Sequence, residues 1–130
     1  MHIVDYRQES TIDGFLNVTL ESLLTNEDIN TIFGVFQQAM ITGVTGSEQL
    51  GRDVQVYGID GDEPSLRMVA EGRIAGIHVQ WPRVNASLCL FALLRVINGD
   101  DFERELWEPD AYALGFATAE NYEVFLKGIS

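Results

Sequence analysis

Apolar and polar positions alternate along the chain in two periods that take turns. Short β-prone runs lie at His2 to Tyr6, Thr31 to Phe36, Val54 to Ile59 and Ala75 to Gln80. Each is followed by a stretch whose apolar residues recur at helical spacing, and this alternation predicts βαβ units around a parallel sheet. In the first such stretch Ile12, Phe15, Leu16, Leu20, Leu23 and Leu24 share one face, with Ser10 or Thr11 placed to cap it. The second, about Gln37 to Leu50, turns Met40, Ile41 and Val44 inward; its Gly43 and Gly46 lower helix propensity and imply close packing. A third, short helix has Asp62 as cap, Pro64 in its first turn, a stripe of Leu66, Val69 and Ala70, and Gly72 as its stop. Pro82 opens a fourth, which runs to Ile97 and ends at Asn98-Gly99. It is apolar on nearly every face, so it reads as deeply packed, with Cys89 as a small buried hydrophobe. An acidic segment, a β-like Tyr112 to Phe116 and a short helix near Ala119 to Leu126 close the chain.

These elements describe one α/β domain over residues 1–130, a three-layer αβα arrangement on an open, mostly parallel, flavodoxin-like sheet. A length of 130 residues suits one such domain. No apolar run approaches the roughly 18 residues of a membrane span, and the opening MHIVDYRQES lacks the basic start and apolar middle of an export signal. The net charge of −12 disfavours nucleic acid and anionic membrane as partners, because phosphates select clustered Lys and Arg.

Ligands of open α/β sheets sit beyond the carboxyl ends of the strands. The residues there are Tyr6 and Arg7, Phe36 and Gln37, Asp60, and Gln80 with Trp81. A carboxylate, two amides, a guanidinium and aromatic faces suit a sugar, whose hydroxyls donate and accept while its C–H face packs on a ring. The same residues also read as a turn cap at Asp60 and a gap filler at Trp81. His2 and His78 have no Cys or His partner at ligand spacing, so no metal site is expected. Gly43-x-x-Gly46 and Gly58-x-x-Gly61 do not form a phosphate loop, and no cofactor is expected. Asp60, Asp62 and Glu63 form a carboxylate cluster without a nucleophile and base beside it, which argues against an enzyme.

The run from Asp53 through Val-Gln-Val-Tyr-Gly-Ile-Asp-Gly-Asp to Gln80-Trp81-Pro82 resembles the ribose-type family of sugar ABC-transporter binding proteins. In that family a "VVGFDG" strand end leads through a helix to "G-x-I-x-A-T" and "Q-x-P". Leu23-Leu24, Asp28 to Phe33, Leu50-Gly51-Arg52 and Ile97-Asn98-Gly99 fit the rest of its frame, over roughly residues 20–100. The resemblance implies a solute-binding component present as its carboxy-terminal lobe, with Asp60 and Gln80 on ligand hydroxyls, and Phe36, Gln37, Trp81 and Arg7 beside them. The family's "N-D" after the second strand is replaced by Phe36-Gln37-Gln38, which leaves the amide to Gln37. It also implies transporter membrane subunits as partners and a periplasmic or extracytoplasmic place for the parent protein. Two other readings stand beside it: the effector lobe of a LacI-type regulator, and a small flavodoxin-like enzyme.

The family's lobe has five strands in the order 2-1-3-4-5, and His2 to Tyr6 matches the second of them. The first, interior strand and its helix are then missing, which would expose strand edges. The expected repair is a homodimer, or a return of the Tyr112 to Phe116 segment into the sheet; the tail over 100–130 could also cross to another lobe or chain.

Overall fold

The computed structural model describes residues 3–100 and 115–129. Its elements run α1 (Ile12–Thr25), β1 (Thr31–Gly34), α2 (Gln37–Gln49), β2 (Gln55–Asp60), α3 (Glu63–Ala70), β3 (Gly76–Val79), α4 (Pro82–Ile97), β4 (Phe116–Ala117) and α5 (Tyr122–Ile129). The sheet order is β1-β2-β3-β4. The first three strands are parallel and β4 is antiparallel to β3, so the α/β class and the mostly parallel open sheet expected from the pattern are observed.

Local signals act where the sequence placed them. Thr11 caps α1 by accepting the Gly14 N–H at 3.0 Å. Asp62 caps α3 through the Ser65 N–H, and Gly72, at φ +73°, ends that helix's turn in the left-handed region that glycine favours. The glycines of α2 are there for contact: a Cβ at Gly46 would lie 2.7 Å from Thr19 Cγ2 on α1.

The core lies on one face of the sheet. Met40 and Val44 of α2, Leu66, Met68 and Val69 of α3, and Phe125 of α5 pack there with Val56, Ile77, Val79 and Ala117 of the strands. Because residues alternate along a strand, Phe33, Tyr57, Ile59, His78 and Phe116 point to the opposite face. Phe33 and Phe116 are largely exposed there. Two of the three expected layers are therefore built by described residues.

Four expectations are corrected. Residues 3–9 join no strand: Ile3, Val4 and Tyr6 are exposed, and the segment is held instead by Asp5, which accepts the Ser22 hydroxyl of α1 at 2.5 Å. Asp5 and Arg7 tie the run to Ser22 and Glu21 of α1, so it does not pair with the open edge of β1. His2 itself lies outside the described residues.

Second, α4 is not deeply packed. None of its residues is buried, and Cys89 is exposed. The core face is already filled by α2, α3 and α5, and no described element packs closely along α4. Third, Ala70 is exposed, and Met68 takes its place in the stripe of α3. Ile12 and Leu24, assigned to the inner face of α1, are exposed as well.

Fourth, the tail re-enters the sheet at Phe116–Ala117 along β3, not in the gap beside β1. Tyr112 to Leu114 lie outside the described residues. Among the described residues nothing pairs with the outer edge of β1.

Candidate ligand-binding site

The strands β2 and β3 end together at the pair Asp60 and Val79, and β1 ends two residues earlier, where Gly34 pairs with Gly58. Right after them begin α2, α3 and α4 at Gln37, Glu63 and Pro82, so three helices start at the edge of the sheet where ligands of open α/β folds sit. The chain turns sharply out of β2. Asp60 sits at φ +125° and Gly61 at +81°, and Gly61 is buried so closely on Val79 that a Cβ would lie 2.8 Å from it. Glycine tolerates this conformation, whereas an aspartate there stores backbone strain.

Strain at Asp60 is held by its partners. Its Oδ2 accepts the backbone N–H of Gln37 at 2.9 Å, and its carbonyl accepts the Gln80 N–H at 2.9 Å. The side chain of Gln37 reaches the same turn, where its Nε2 donates to Asp62 Oδ2. Asp62 is thus shared between the α3 cap and Gln37. The sequence marked Asp62 only as a cap and carboxylate neighbour, and nothing local in it signals a tie to a residue 25 positions earlier.

This clasp leaves two acceptors without a bond from the described residues, Asp60 Oδ1 and Gln37 Oε1. Both residues are half-buried, and Gln80 is exposed at the rim. The pair can accept hydrogen bonds from ligand hydroxyls.

The aromatic candidates are anchored by protein neighbours. Phe36 packs edge-on to Phe15 of α1, with centroids 5.0 Å apart, and Trp81 stacks on Phe125 of α5 at 6.1 Å. Each residue is half-buried. Arg7 is not brought to this crevice: its guanidinium pairs with Asp5 and Glu21 along α1. Asp60, Gln37 and Gln80 are thus joined by hydrogen bonds, with Phe36 and Trp81 adjacent in sequence, and Arg7 stands apart. Among the described residues no group of three or more His, Cys, Asp or Glu could hold a metal ion.

No protein-family model matches the chain, and no curated protein sequence does. Solved structures do match. An ABC transporter periplasmic solute-binding protein from Actinobacillus succinogenes with bound D-allose superposes with a TM-score of 0.75 at 24% identity, over 87% of this chain and 39% of that one. A solute-binding protein from Agrobacterium vitis with bound D-fucose gives 0.75 at 21%, over 92% and 40%. One from Bacillus halodurans with bound myo-inositol gives 0.72 at 19%, over 90% and 40%. The chain therefore has the fold found in sugar-transport solute-binding proteins, and it spans about two-fifths of their length. The resemblance read from Asp53 to Pro82 and this likeness of fold point the same way.

Proposed function

We propose that the chain is one lobe of an extracytoplasmic solute-binding component of an ABC transporter, that it takes a sugar or polyol, and that it is not an enzyme. The observation that carries this reading is the pair of acceptors without a bond from the described residues, Asp60 Oδ1 and Gln37 Oε1, at the carboxyl ends of the strands on this fold. Acceptors fixed by backbone and side-chain clasps select ligands rich in hydroxyl donors, and the rings of Phe36 and Trp81 offer apolar edges to a C–H face. Gln80 adds an exposed amide. In the parent protein a second lobe would close over the ligand, and the transporter's membrane subunits would be the protein partners. None of the described helices is long and apolar enough to cross a membrane.

With one lobe supplying only part of the contacts, affinity of the chain alone is expected in the millimolar range, on the order of −4 kcal/mol. Titration of isotope-labelled protein with D-allose, D-fucose and myo-inositol, followed by amide shifts, tests the reading. At least one ligand should shift the amides of Gln37, Gly61 and Gln80 saturably, and Asp60→Ala should abolish the response. Shifts absent for every ligand, or unchanged in Asp60→Ala, would remove this crevice as the site.

A further inference from the structure

Both carboxylate oxygens of Asp62 are engaged. Oδ1 accepts the Ser65 N–H at 3.2 Å and so caps α3, while Oδ2 accepts the side-chain Nε2 of Gln37. Gln37 is held a second time at its backbone, where its N–H donates to Asp60 Oδ2 at 2.9 Å. Phe36, which precedes α2, makes no side-chain cap, so Asp60 and Asp62 of the turn after β2 fasten the start of α2 from outside.

The chemistry of this partner decides which way round the Gln37 amide sits. An ionised carboxylate accepts and cannot donate, so only the nitrogen end of an amide can meet Asp62 Oδ2. Oε1 is then the end away from Asp62, and neither it nor Asp60 Oδ1 takes a bond from the described residues. A free amide can offer a ligand its donor or its acceptor end by turning over; beside Asp62 that choice is made before a ligand arrives. Helix capping alone does not require the second bond. Oδ1 caps α3 without it, and Asp60 already serves the first N–H of α2.

We propose that Asp62 is a positioning residue for ligand selectivity: by holding Gln37 Nε2 it makes Oε1 the atom a ligand meets, so that Gln37 and Asp60 both demand a hydroxyl donor. This rests on the crevice being the ligand site, and it adds what the ligand must offer there, a polyol hydroxyl rather than an ether oxygen, a carbonyl or a halogen.

Substitution at Asp62 should turn the amide over. In Asp62→Asn the side-chain oxygen is still claimed by the Ser65 N–H, because an NH2 group cannot accept that bond, so the new nitrogen falls where Oδ2 was and donates. Gln37 then meets it with Oε1 and leaves Nε2 as the far end. Asp62→Ser keeps a cap for α3 and gives up the tie.

Two measurements separate the tie from the ligand site, with circular dichroism as the check on folding. The first needs no ligand: in isotope-labelled protein one side-chain amide proton of Gln37 should lie downfield and exchange slowly, and both properties should be lost in Asp62→Ser. The second compares whichever of D-allose, D-fucose and myo-inositol shifts the amides with its monodeoxyfluoro analogues, in which fluorine takes the place of a hydroxyl and cannot donate. With the wild type at least two analogues should bind about tenfold more weakly, one for each acceptor. Asp62→Asn should bring one of these, and not the other, to within about threefold of its parent ligand, and Asp62→Ser should recover part of that loss. A free-amide signal for Gln37 in the wild type, an unchanged signal in Asp62→Ser, or an analogue profile in Asp62→Asn that parallels the wild type would each overturn the proposal. If none of the three ligands responds while the amide signal is as expected, the crevice reading itself falls, and the selectivity falls with it.

Discussion

The carboxylate of Asp60, at the end of β2, accepts the first backbone N–H of α2, that of Gln37, at 2.9 Å across 23 residues of chain. A side chain in a strained turn thereby ties two strand ends together. Its loss should reveal both the bond and the strain. Asp60→Ala keeps the unfavourable φ and loses the charged hydrogen bond, so a loss of about 2 kcal/mol is expected. Asp60→Gly loses the same bond but relaxes the backbone, and should stay within about 1 kcal/mol of wild type. Urea denaturation of the two variants checks this, and equal destabilisation would show that φ +125° carries no strain.

The α1–α2 contact depends on a missing side chain. A methyl at Gly46 would meet Thr19 Cγ2 at 2.7 Å, and Thr19 is held in place by its hydroxyl donating to the Phe15 carbonyl at 2.8 Å. Gly46→Ala should cost about 1–2 kcal/mol despite the better helix propensity of alanine. Gly43→Ala, whose added carbon would sit 3.2 Å from Ile32 Cγ2, should be nearly neutral. Thermal unfolding of the pair measures the difference, and the reverse order would refute the packing account.

Arg52 gathers the chain between α1 and β1. Its guanidinium donates to the carbonyls of Leu23 at 2.6 Å, Glu27 at 3.0 Å and Ile29 at 2.8 Å. Arg52→Ala would orphan all three acceptors and is expected to cost about 2–3 kcal/mol. Arg52→Lys should recover less than half, because one ammonium cannot reproduce the planar fork. Denaturant midpoints with unchanged slope would confirm the ranking; full recovery by lysine would reduce the site to simple charge.

Acid should release the amino-terminal segment before the domain unfolds. The Ser22 hydroxyl bond and then Arg7 hold the Asp5 carboxyl below its ordinary range. A depressed folded value means that the contribution is complete above the ordinary aspartate pKa of about 4 and fades as pH falls through the lowered value. Amide shifts of residues 3–9 should follow that titration below about pH 4. Asp5→Asn should abolish the step, and release only together with global unfolding would contradict it.

Much of this was legible in local sequence. Caps at Thr11 and Asp62, the stop at Gly72 and the close approach of Gly46 depend on neighbours in the chain or on residue size, and the three parallel strands follow from their alternation with helices. The segment Ile3 to Tyr6 was misread because strand propensity says what a run can do beside a partner, not that it will take the open edge of β1 rather than bond to α1. Helix α4 was misread for a related reason: its apolar content states a need for cover without saying that the core side is already full. In the candidate site, Asp60, Gln37 and Gln80 were singled out from their positions after strands, and hydrogen bonds join them in the structure. The bond from Gln37 to Asp62 was not legible, because it joins two elements through side-chain reach, and the same holds for the three carbonyls on Arg52.

The two-residue strand β4 has a consequence for solubility. It occupies the β3 edge and is fastened by the Val79 N–H donating to the Gly115 carbonyl and by Asn121 donating to the Phe116 carbonyl, with Phe125 of α5 packed closely against Gly115. One side of the sheet is thereby stoppered, while β1 stays open among the described residues. A sheet with one blocked and one free side cannot propagate head to tail. Growth from the β3 edge would first have to displace β4, which its bonds and the packing of Phe125 oppose, so the open edge of β1 is the more exposed template.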